Sequence, residues 1–196
     1  MKKIVLIAIL ASLSFTGCKN KKEDKTDTPM TETPMMEEAE TTMASITVKA
    51  TLNAKSESNV SGMVVFEESN GVVNMTAEMS GLEPGVHAIH LHESSDCSSA
   101  DGTSAGGHWN PTAQPHGKWG DAAGFHKGDI GNFTADADGN ATVTFSTDEW
   151  CIDCDDATKN IIGKGVIVHA GADDFTSQPS GAAGARVSCA GIIEAE

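Results

Sequence analysis

Apolar and polar residues alternate in short segments spread over most of the chain from Ile46 onward. Side chains at alternate positions of a strand share one face, and two segments show this pattern most clearly. Their apolar residues are Ile46, Val48, Ala50 and Leu52 in the first and Val73, Met75, Ala77 and Met79 in the second. Further candidates are SGMVVFEE, GKGVIVHA, ARVSCAGIIE and a hairpin pattern in NFTADADGNATVTF. About eight strands with little helical periodicity predict an all-β fold, an antiparallel sandwich or flattened barrel.

The chain begins with MKKIVLIAILASLSFTGC, in which two lysines precede an apolar run and small residues. This is the layout of a secretory signal peptide, and the run is too short for a comfortable membrane span. Its ending resembles a bacterial lipoprotein cleavage box, which makes Cys18 the predicted lipidation site; ordinary cleavage nearby is the alternative. We expect an exported, lipid-anchored protein of the cell envelope, in the periplasm or at the outer membrane surface.

Three regions follow from this pattern: residues 1–18 as signal peptide, 19–45 as tether and 46–196 as one domain. The tether is rich in Thr, Glu, Lys and Pro and has no apolar period, so we expect it to be disordered. Residues 46–196 carry 21 of the 28 acidic residues but only 7 of the 13 basic ones. Because such an acidic domain repels the phosphates of nucleic acids, we expect no nucleic acid partner.

Five cysteines are present, and a lipidated Cys18 leaves an even number in an exported protein, which suggests two disulfides. Cys151 and Cys154 form the motif CIDC. A four-cysteine zinc site would need a second such motif, so we interpret this pair as a local structural disulfide.

Three histidines fall within six residues of the predicted strand VHAIHLHE. His90 and His92 lie at positions i and i+2, so they project together, roughly 6 to 7 Å apart, from what we expect to be an exposed face. His87 points to the opposite face with Ile89 and Leu91, where a hydrogen-bonded support is a better interpretation than a metal ligand. The HxH pair has the shape of a metal chelate, although alone it is a weak pattern.

Between Glu93 and Asp129 the sequence has no periodic apolar pattern, and loops of this length usually have a function or an internal scaffold. The stretch offers His108, His116, His126 and Asp129, which would make a closed four-ligand set of the kind that holds structural zinc. Metal binding would then supply the folding energy that the loop lacks. His169, at the end of GVIVHA, could be a core histidine or a further ligand beside His90 and His92.

Taken together, these motifs resemble the copper/zinc superoxide dismutases over nearly all of residues 46–196. The resemblance is carried by the ordered set HAIHLH, DC, GGHWNP, HG, HKGDIGN, VIVHAGADD and AGARVSCAGII. It implies an eight-stranded Greek-key barrel with long metal-binding loops. It also implies that copper and zinc are the cofactors, that superoxide is the substrate, and that two superoxide anions become dioxygen and hydrogen peroxide as copper is reduced and reoxidised.

The resemblance assigns a role to each matching position. Copper ligands would be His90, His92, His108 and His169, and zinc ligands would be His108, His116, His126 and Asp129. His108 would be shared, and would release copper and accept a proton in the reduced half-cycle. Asp173 matches a carboxylate that orients the metal histidines, Arg186 matches an active-site arginine that attracts the anion, and Cys97 and Cys189 match the family disulfide.

One departure concerns the segment FTSQPSGAAGA after Asp174, which contains no lysine and no glutamate. The charged guiding loop of many relatives is therefore shortened, and we expect a weaker or differently signed salt dependence of the rate. The main alternative function is a non-catalytic copper and zinc buffering lipoprotein of the same fold; a purely structural lipoprotein would leave the histidine cluster unexplained. Membrane contact is expected only through the lipid at Cys18, and a homodimer is compatible with the sequence.

Overall fold

The computed structural model describes residues 45–193, and within that range it contains eight β-strands. Their bounds are β1 Ile46–Ala54, β2 Ser61–Ser69, β3 Val72–Ser80, β4 Gly85–His92, β5 Gly131–Ala135, β6 Ala141–Thr147, β7 Gly165–His169 and β8 Arg186–Gly191. A three-residue 3₁₀ helix spans Thr103–Ala105. Among the described residues no helix is both long and apolar enough to cross a membrane. The predicted signal peptide, Cys18 and the tether lie outside the described residues.

All strand pairs are antiparallel, and the strands follow the order β5-β4-β7-β8-β1-β2-β3-β6. The sheet curls into a nearly closed barrel with β5 and β6 at its two ends. Neighbours such as β4 and β7 are far apart in the chain, as in a Greek-key connection. The prediction of an all-β, eight-stranded antiparallel barrel is therefore confirmed.

The alternating pattern predicts the buried face of the strands, with one exception at the start of β1. Val48, Ala50 and Leu52 are buried, and so are all four alternating apolar residues of β3. Ile46, which the same pattern placed inward, is 37% exposed. It is the first residue of β1 and pairs with Glu68 near the end of β2, so it lies at the rim of the barrel, where fewer neighbours can cover it.

The predicted hairpin between β5 and β6 is wrong in its pairing. The turn at Asp138 to Asn140 exists and is closed by the Asp136 amide, which donates to the Asn140 carbonyl oxygen over 2.9 Å. However, β5 pairs with β4 and β6 pairs with β3. Alternation determines which face of a strand is buried but does not specify its neighbour, so the sequence could identify both strands and not their partners.

The long segment between β4 and β5 is fixed to the outer side of the barrel. The amides of Leu91, Trp109 and Gly128 donate in a cycle to the carbonyl oxygens of Gly128, Leu91 and Trp109 over 2.8 to 3.0 Å. A disulfide joins Cys97 in this segment to Cys189 in β8. The segment therefore returns twice to the end of β4, at Trp109 and at Gly128, directly beside His90 and His92.

A second disulfide joins Cys151 to Cys154 in the segment between β6 and β7. The preceding Trp150 is buried, lies against Phe66, and donates from its indole Nε1 to the carbonyl oxygen of Lys127 over 2.8 Å. The segment between β6 and β7 therefore supports the β4–β5 segment through the hydrogen bond from Trp150 to Lys127.

Candidate metal centre

Three histidines from neighbouring strands meet on the outer face of the barrel. β4 and β7 are paired in register from Ile89 with Val168 to His92 with Gly165, which brings His169 beside the two histidines of β4. The ring centroid of His169 lies 5.0 Å from that of His90 and 5.6 Å from that of His92. We expected an exposed strand face here, and this was wrong: all three side chains are buried because the β4–β5 segment covers them.

His108 lies between these three histidines and the loop. It forms an isolated antiparallel bridge with His92, which fixes its backbone against the end of β4. Its ring centroid lies 4.0 Å from that of His90 on one side and 5.3 and 5.7 Å from those of His116 and His126 on the other. His108 therefore faces both sets of side chains.

Two groups of four potential ligands result, and His108 belongs to both. The first contains His90, His92, His108 and His169, and the second contains His108, His116, His126 and Asp129. Within each group one ligand atom per residue can be chosen so that these atoms lie within 4.8 Å of one another. The structure thus brings together the seven residues that the sequence offered as ligands.

Six buried ring nitrogens in these groups have no hydrogen-bond partner among residues 45–193. They are His90 Nδ1, His92 Nε2, His108 Nε2, His116 Nδ1, His126 Nδ1 and His169 Nε2. Buried polar atoms are rarely left unpaired in native proteins. The observation is explained if these lone pairs are directed at metal ions, so the residues fit two bound cations.

Asp129 provides the negative charge of the second group. Its Oδ1 accepts from His108 Nδ1 at 2.8 Å, and its Oδ2 accepts from the amides of His126 and Gly117 at 2.8 and 3.2 Å. His116 Nδ1 also lies 3.0 Å from Oδ2, without hydrogen-bonding geometry. Burial alone would raise the pKa of Asp129, but the hydrogen bonds hold it well below its usual value. The carboxylate is therefore ionised and available to a cation.

Asp173 is hydrogen-bonded to one histidine of each group. Its Oδ2 accepts from His90 Nε2 and its Oδ1 accepts from His116 Nε2, both over 2.9 Å. A histidine that donates from Nε2 keeps its lone pair on Nδ1, the nitrogen that is unpaired in both residues. The main chain of Asp173 is held in turn by the side-chain amide of Asn132, through two bonds of 2.8 Å. The resemblance had implied that Asp173 orients the metal histidines, whereas nothing in the sequence marked Asn132 as the residue that holds Asp173.

His87 is a support rather than a member of either group. Its ring nitrogens lie 2.7 Å from the carbonyl oxygen of Glu83 and 2.9 Å from that of His169. Its ring stacks on Phe133 with centroids 5.7 Å apart. His87 therefore fixes the backbone of His169 from the opposite side of the strand.

Burial keeps three histidines of the first group, His92, His108 and His169, in the neutral form that binds metals. Burial, together with the charges of neighbouring histidines, lowers the pKa of His108 to about 4 and that of His169 to about 3. The pKa of His92 is also well below its usual value, chiefly through burial. These imidazoles are consequently neutral at neutral pH, as ligation requires.

A cavity of about 410 Å³ opens onto the first group. His108, His169 and Arg186 line it together with Pro179, Ala182 and Gly184. The Arg186 guanidinium donates from Nη1 to the carbonyl oxygen of Gly102 over 2.8 Å. Gly102 has a φ of 74°, and a Cβ there would lie 3.3 Å from Arg186 Cβ, so glycine leaves room for the arginine beside the cavity.

Comparison with known proteins gives the family. The family model for copper/zinc superoxide dismutase matches residues 60–192. This chain belongs to the copper/zinc superoxide dismutase family. A solved structure of a double mutant of a SOD-like protein from Bacillus subtilis is also similar, with 30% sequence identity and a TM-score of 0.67. The match covers 74% of this chain and 97% of that one.

Membership of the copper/zinc superoxide dismutase family agrees with the donor chemistry of the centre. The family is one that usually binds copper and zinc, and imidazoles suit both metals. The matched range contains all seven potential ligands, together with Arg186 and Asp173. The family and the geometry together support a function of the copper/zinc superoxide dismutase type.

Proposed function

We propose that this protein is an active copper/zinc superoxide dismutase. The observation that carries the proposal is the position of His108, whose Nε2 faces the first ligand group while its Nδ1 lies against Asp129 of the second. When bound, copper would supply alternate uptake and release of one electron, by which two superoxide anions and two protons become dioxygen and hydrogen peroxide, and zinc would supply fixed positive charge.

The ligand atoms follow from the unpaired nitrogens. Copper would be held by His90 Nδ1, His92 Nε2, His108 Nε2 and His169 Nε2, and zinc by His108, His116 and His126 through Nδ1 together with Asp129. Four imidazoles suit copper in either oxidation state, whereas the carboxylate favours zinc over the softer cuprous ion. The donor sets themselves therefore support different metals in the two groups.

Two residues of the chain would act on the substrate and its protons. Arg186 at the cavity would attract the anionic superoxide and hold it near the first group. His108 Nε2 would carry a proton in one half of the cycle, while contacts at Nδ1 keep the ring in place. Asp173 would keep His90 and His116 in the Nε2–H tautomer, so that their Nδ1 lone pairs stay directed at the metals.

The test is superoxide removal by the full chain loaded with copper and zinc, compared with zinc-only protein and with a His108→Ala variant. We expect fast removal by the parent, none by zinc-only protein, and a loss of at least about 100-fold in His108→Ala. A parent that retains both metals but does not remove superoxide would contradict the proposal and favour the copper and zinc buffering function instead.

We also propose that the protein is exported and anchored through lipid on Cys18. The support is sequence alone: the basic start, the apolar run and the small residues before Cys18. Radiolabelled fatty acid should be incorporated by the parent and not by Cys18→Ala. Equal labelling of the two would contradict the anchor.

A further inference from the structure

Gln178 holds the backbone of His116 with both ends of its side-chain amide. The His116 amide donates to Gln178 Oε1 over 2.9 Å, and Gln178 Nε2 donates to the His116 carbonyl oxygen over 2.9 Å. A side-chain amide offers the same donor and acceptor as a peptide group. Gln178 therefore pairs with His116 as a residue of a neighbouring strand would, although the two are 62 positions apart.

Within the described chain, no strand or helix supports the backbone at His116, and besides Gln178 only the adjacent Gly117 amide is held, by Asp129 Oδ2 over 3.2 Å. Residues 113–117 adopt neither helix nor strand, and within residues 45–193 the partners of the His116 amide and carbonyl are both in Gln178. The ring of His116 is fixed by Asp173, but its backbone is not part of any strand ladder. Of the three loop residues in the second ligand group, His116 is thus the one whose backbone amide and carbonyl are both paired with a side chain.

The segment that carries Gln178 is built to present it. The Asp174 carboxylate accepts from the amides of Thr176 and Ser177 over 2.9 and 2.8 Å, and the Gly181 amide donates to the Ser177 carbonyl oxygen over 2.7 Å. This closes a compact turn around Gln178. The turn rests on Gly181, where a Cβ would overlap Asp173 Oδ1 and crowd His116 Nε2.

The same segment forms one wall of the cavity. Pro179, Ser180, Ala182 and Gly184 all line it, and Pro179 follows Gln178 directly. The Gln178 amide is therefore the point at which the cavity wall is fastened to a residue of the second ligand group.

We propose that Gln178 is a positioning residue that holds the His116 backbone and thereby slows the release of zinc from the second group. It touches no ligand atom and acts only through the main chain of His116. The backbone part of this inference stands without any metal, and the zinc part rests on the ligand assignment proposed above.

The first test uses metal-free full-length protein and hydrogen exchange at the His116 amide, measured by NMR. Gln178→Ala should exchange about tenfold faster than the parent, the factor expected from one lost hydrogen bond of ordinary strength. Gln114→Ala is the matched control, because Gln114 is also an exposed glutamine and its side chain donates only to the Thr112 carbonyl oxygen at 3.4 Å. Equal exchange in the parent and Gln178→Ala would overturn the proposal.

The second test follows zinc release to a chromophoric chelator from protein loaded with copper and zinc. Gln178→Ala should release zinc about tenfold faster, as for other residues that orient a ligand, while Gln114→Ala matches the parent. Gln178→Glu, which keeps an acceptor for the His116 amide but loses the donor, should lie between the two.

If Gln178 acted only on the overall stability of the fold, Gln178→Ala would clearly lower the melting temperature of the metal-free protein. We expect no such effect. The melting temperature of metal-free Gln178→Ala should stay within about 2 °C of the parent, the shift of a minor surface change. If zinc release is unchanged, or if it changes equally in Gln114→Ala, the proposal is overturned. None of these readouts uses dismutase activity, so an inactive protein would refute the proposed function and leave this result standing.

Discussion

The two ligand groups rest on different kinds of backbone. In the first, His90, His92 and His169 belong to the paired strands β4 and β7. In the second, His116, His126 and Asp129 lie in a segment whose only regular element in the described chain is the three-residue helix Thr103–Ala105. His108 is common to both groups and is bridged to the end of β4.

The difference shows what fixes ligand residues in a loop as firmly as strand pairing fixes them in a sheet. Ladder hydrogen bonds already fix the Cα positions of strand residues, so the first group needs little further support. The second group is held instead by individual contacts: Asp173 and Gln178 on His116, the Trp150 indole on the carbonyl beside His126, and the Cys97–Cys189 disulfide. Each of these can be removed singly, which makes the comparison testable.

Acid should have the largest effect, and it acts mainly through the first group. The pKa values of His92, His108 and His169 are lowered by burial, so the unfolded chain binds protons that the folded one does not. Stability is therefore full above the unfolded value near 6.5 and is lost as the pH falls toward about 4. Between pH 7 and pH 5 we expect a loss of about 2 kcal/mol from each of His108 and His169, and a further loss from His92.

The measurement is urea unfolding of the metal-free protein across this range. His169→Gln removes one titrating group and should reduce the loss between pH 7 and pH 5 by about 2 kcal/mol. A stability that stays constant from pH 7 to pH 5 would show that these imidazoles are not buried in the neutral form.

Removing the long-range disulfide should have the next largest effect. In the chain-entropy description, a crosslink with a sequence separation of 92 stabilises a fold by about 4 to 5 kcal/mol. Cys151–Cys154, with a separation of 3, closes a far smaller loop and should contribute roughly 2 kcal/mol. Urea unfolding of the Cys97→Ser/Cys189→Ser and Cys151→Ser/Cys154→Ser double variants measures both, and equal losses would contradict this ranking.

Asp129→Asn should weaken metal binding by the second group without weakening metal binding by the first. It keeps the size of the side chain but removes the only carboxylate of the second group, so we expect zinc affinity to fall by about 100-fold. Copper should be retained, because the strand-held histidines and His108 remain. Competition with chelators for each metal checks this, and parallel loss of both metals would show that the groups are not separable.

Salt should have the smallest effect. The cavity wall from Pro179 to Gly184 carries no charged side chain, and Arg186 is the only arginine of an acidic chain. We expect the rate of superoxide removal to change by less than about twofold between 20 and 200 mM salt, or to rise, because long-range steering is weak here. A steep fall in rate with ionic strength would contradict this expectation.

The sequence predicted the parts of the fold that depend on local pattern. Period-two alternation identified the strands of the barrel and the buried face of β3, because face selection is a local property. It misplaced Ile46, whose exposure depends on its position at the rim, and it paired β5 with β6, because partners are determined by closure of the whole barrel. The HxH pair was expected on an exposed face, since strand alternation does not show that the segment after β4 folds back over that face.

In the candidate site, too, the sequence revealed the features that depend on local pattern and not the contacts between distant positions. Histidines and Asp129 stand out by type and spacing, whereas the contacts of Asn132 with Asp173 and of Gln178 with His116 join positions 41 and 62 residues apart. Asparagine and glutamine in polar segments carry no local pattern that marks such a partner. These supports could be found only in the folded structure.

The most direct test of the shared position of His108 is anomalous diffraction at the copper and zinc absorption edges, from crystals of the protein loaded with copper(II) and zinc and kept oxidised. We predict two distinct peaks, each about 2.0 to 2.1 Å from a different ring nitrogen of His108. One metal alone in contact with His108, or the same metal in both positions after loading with both, would contradict the account.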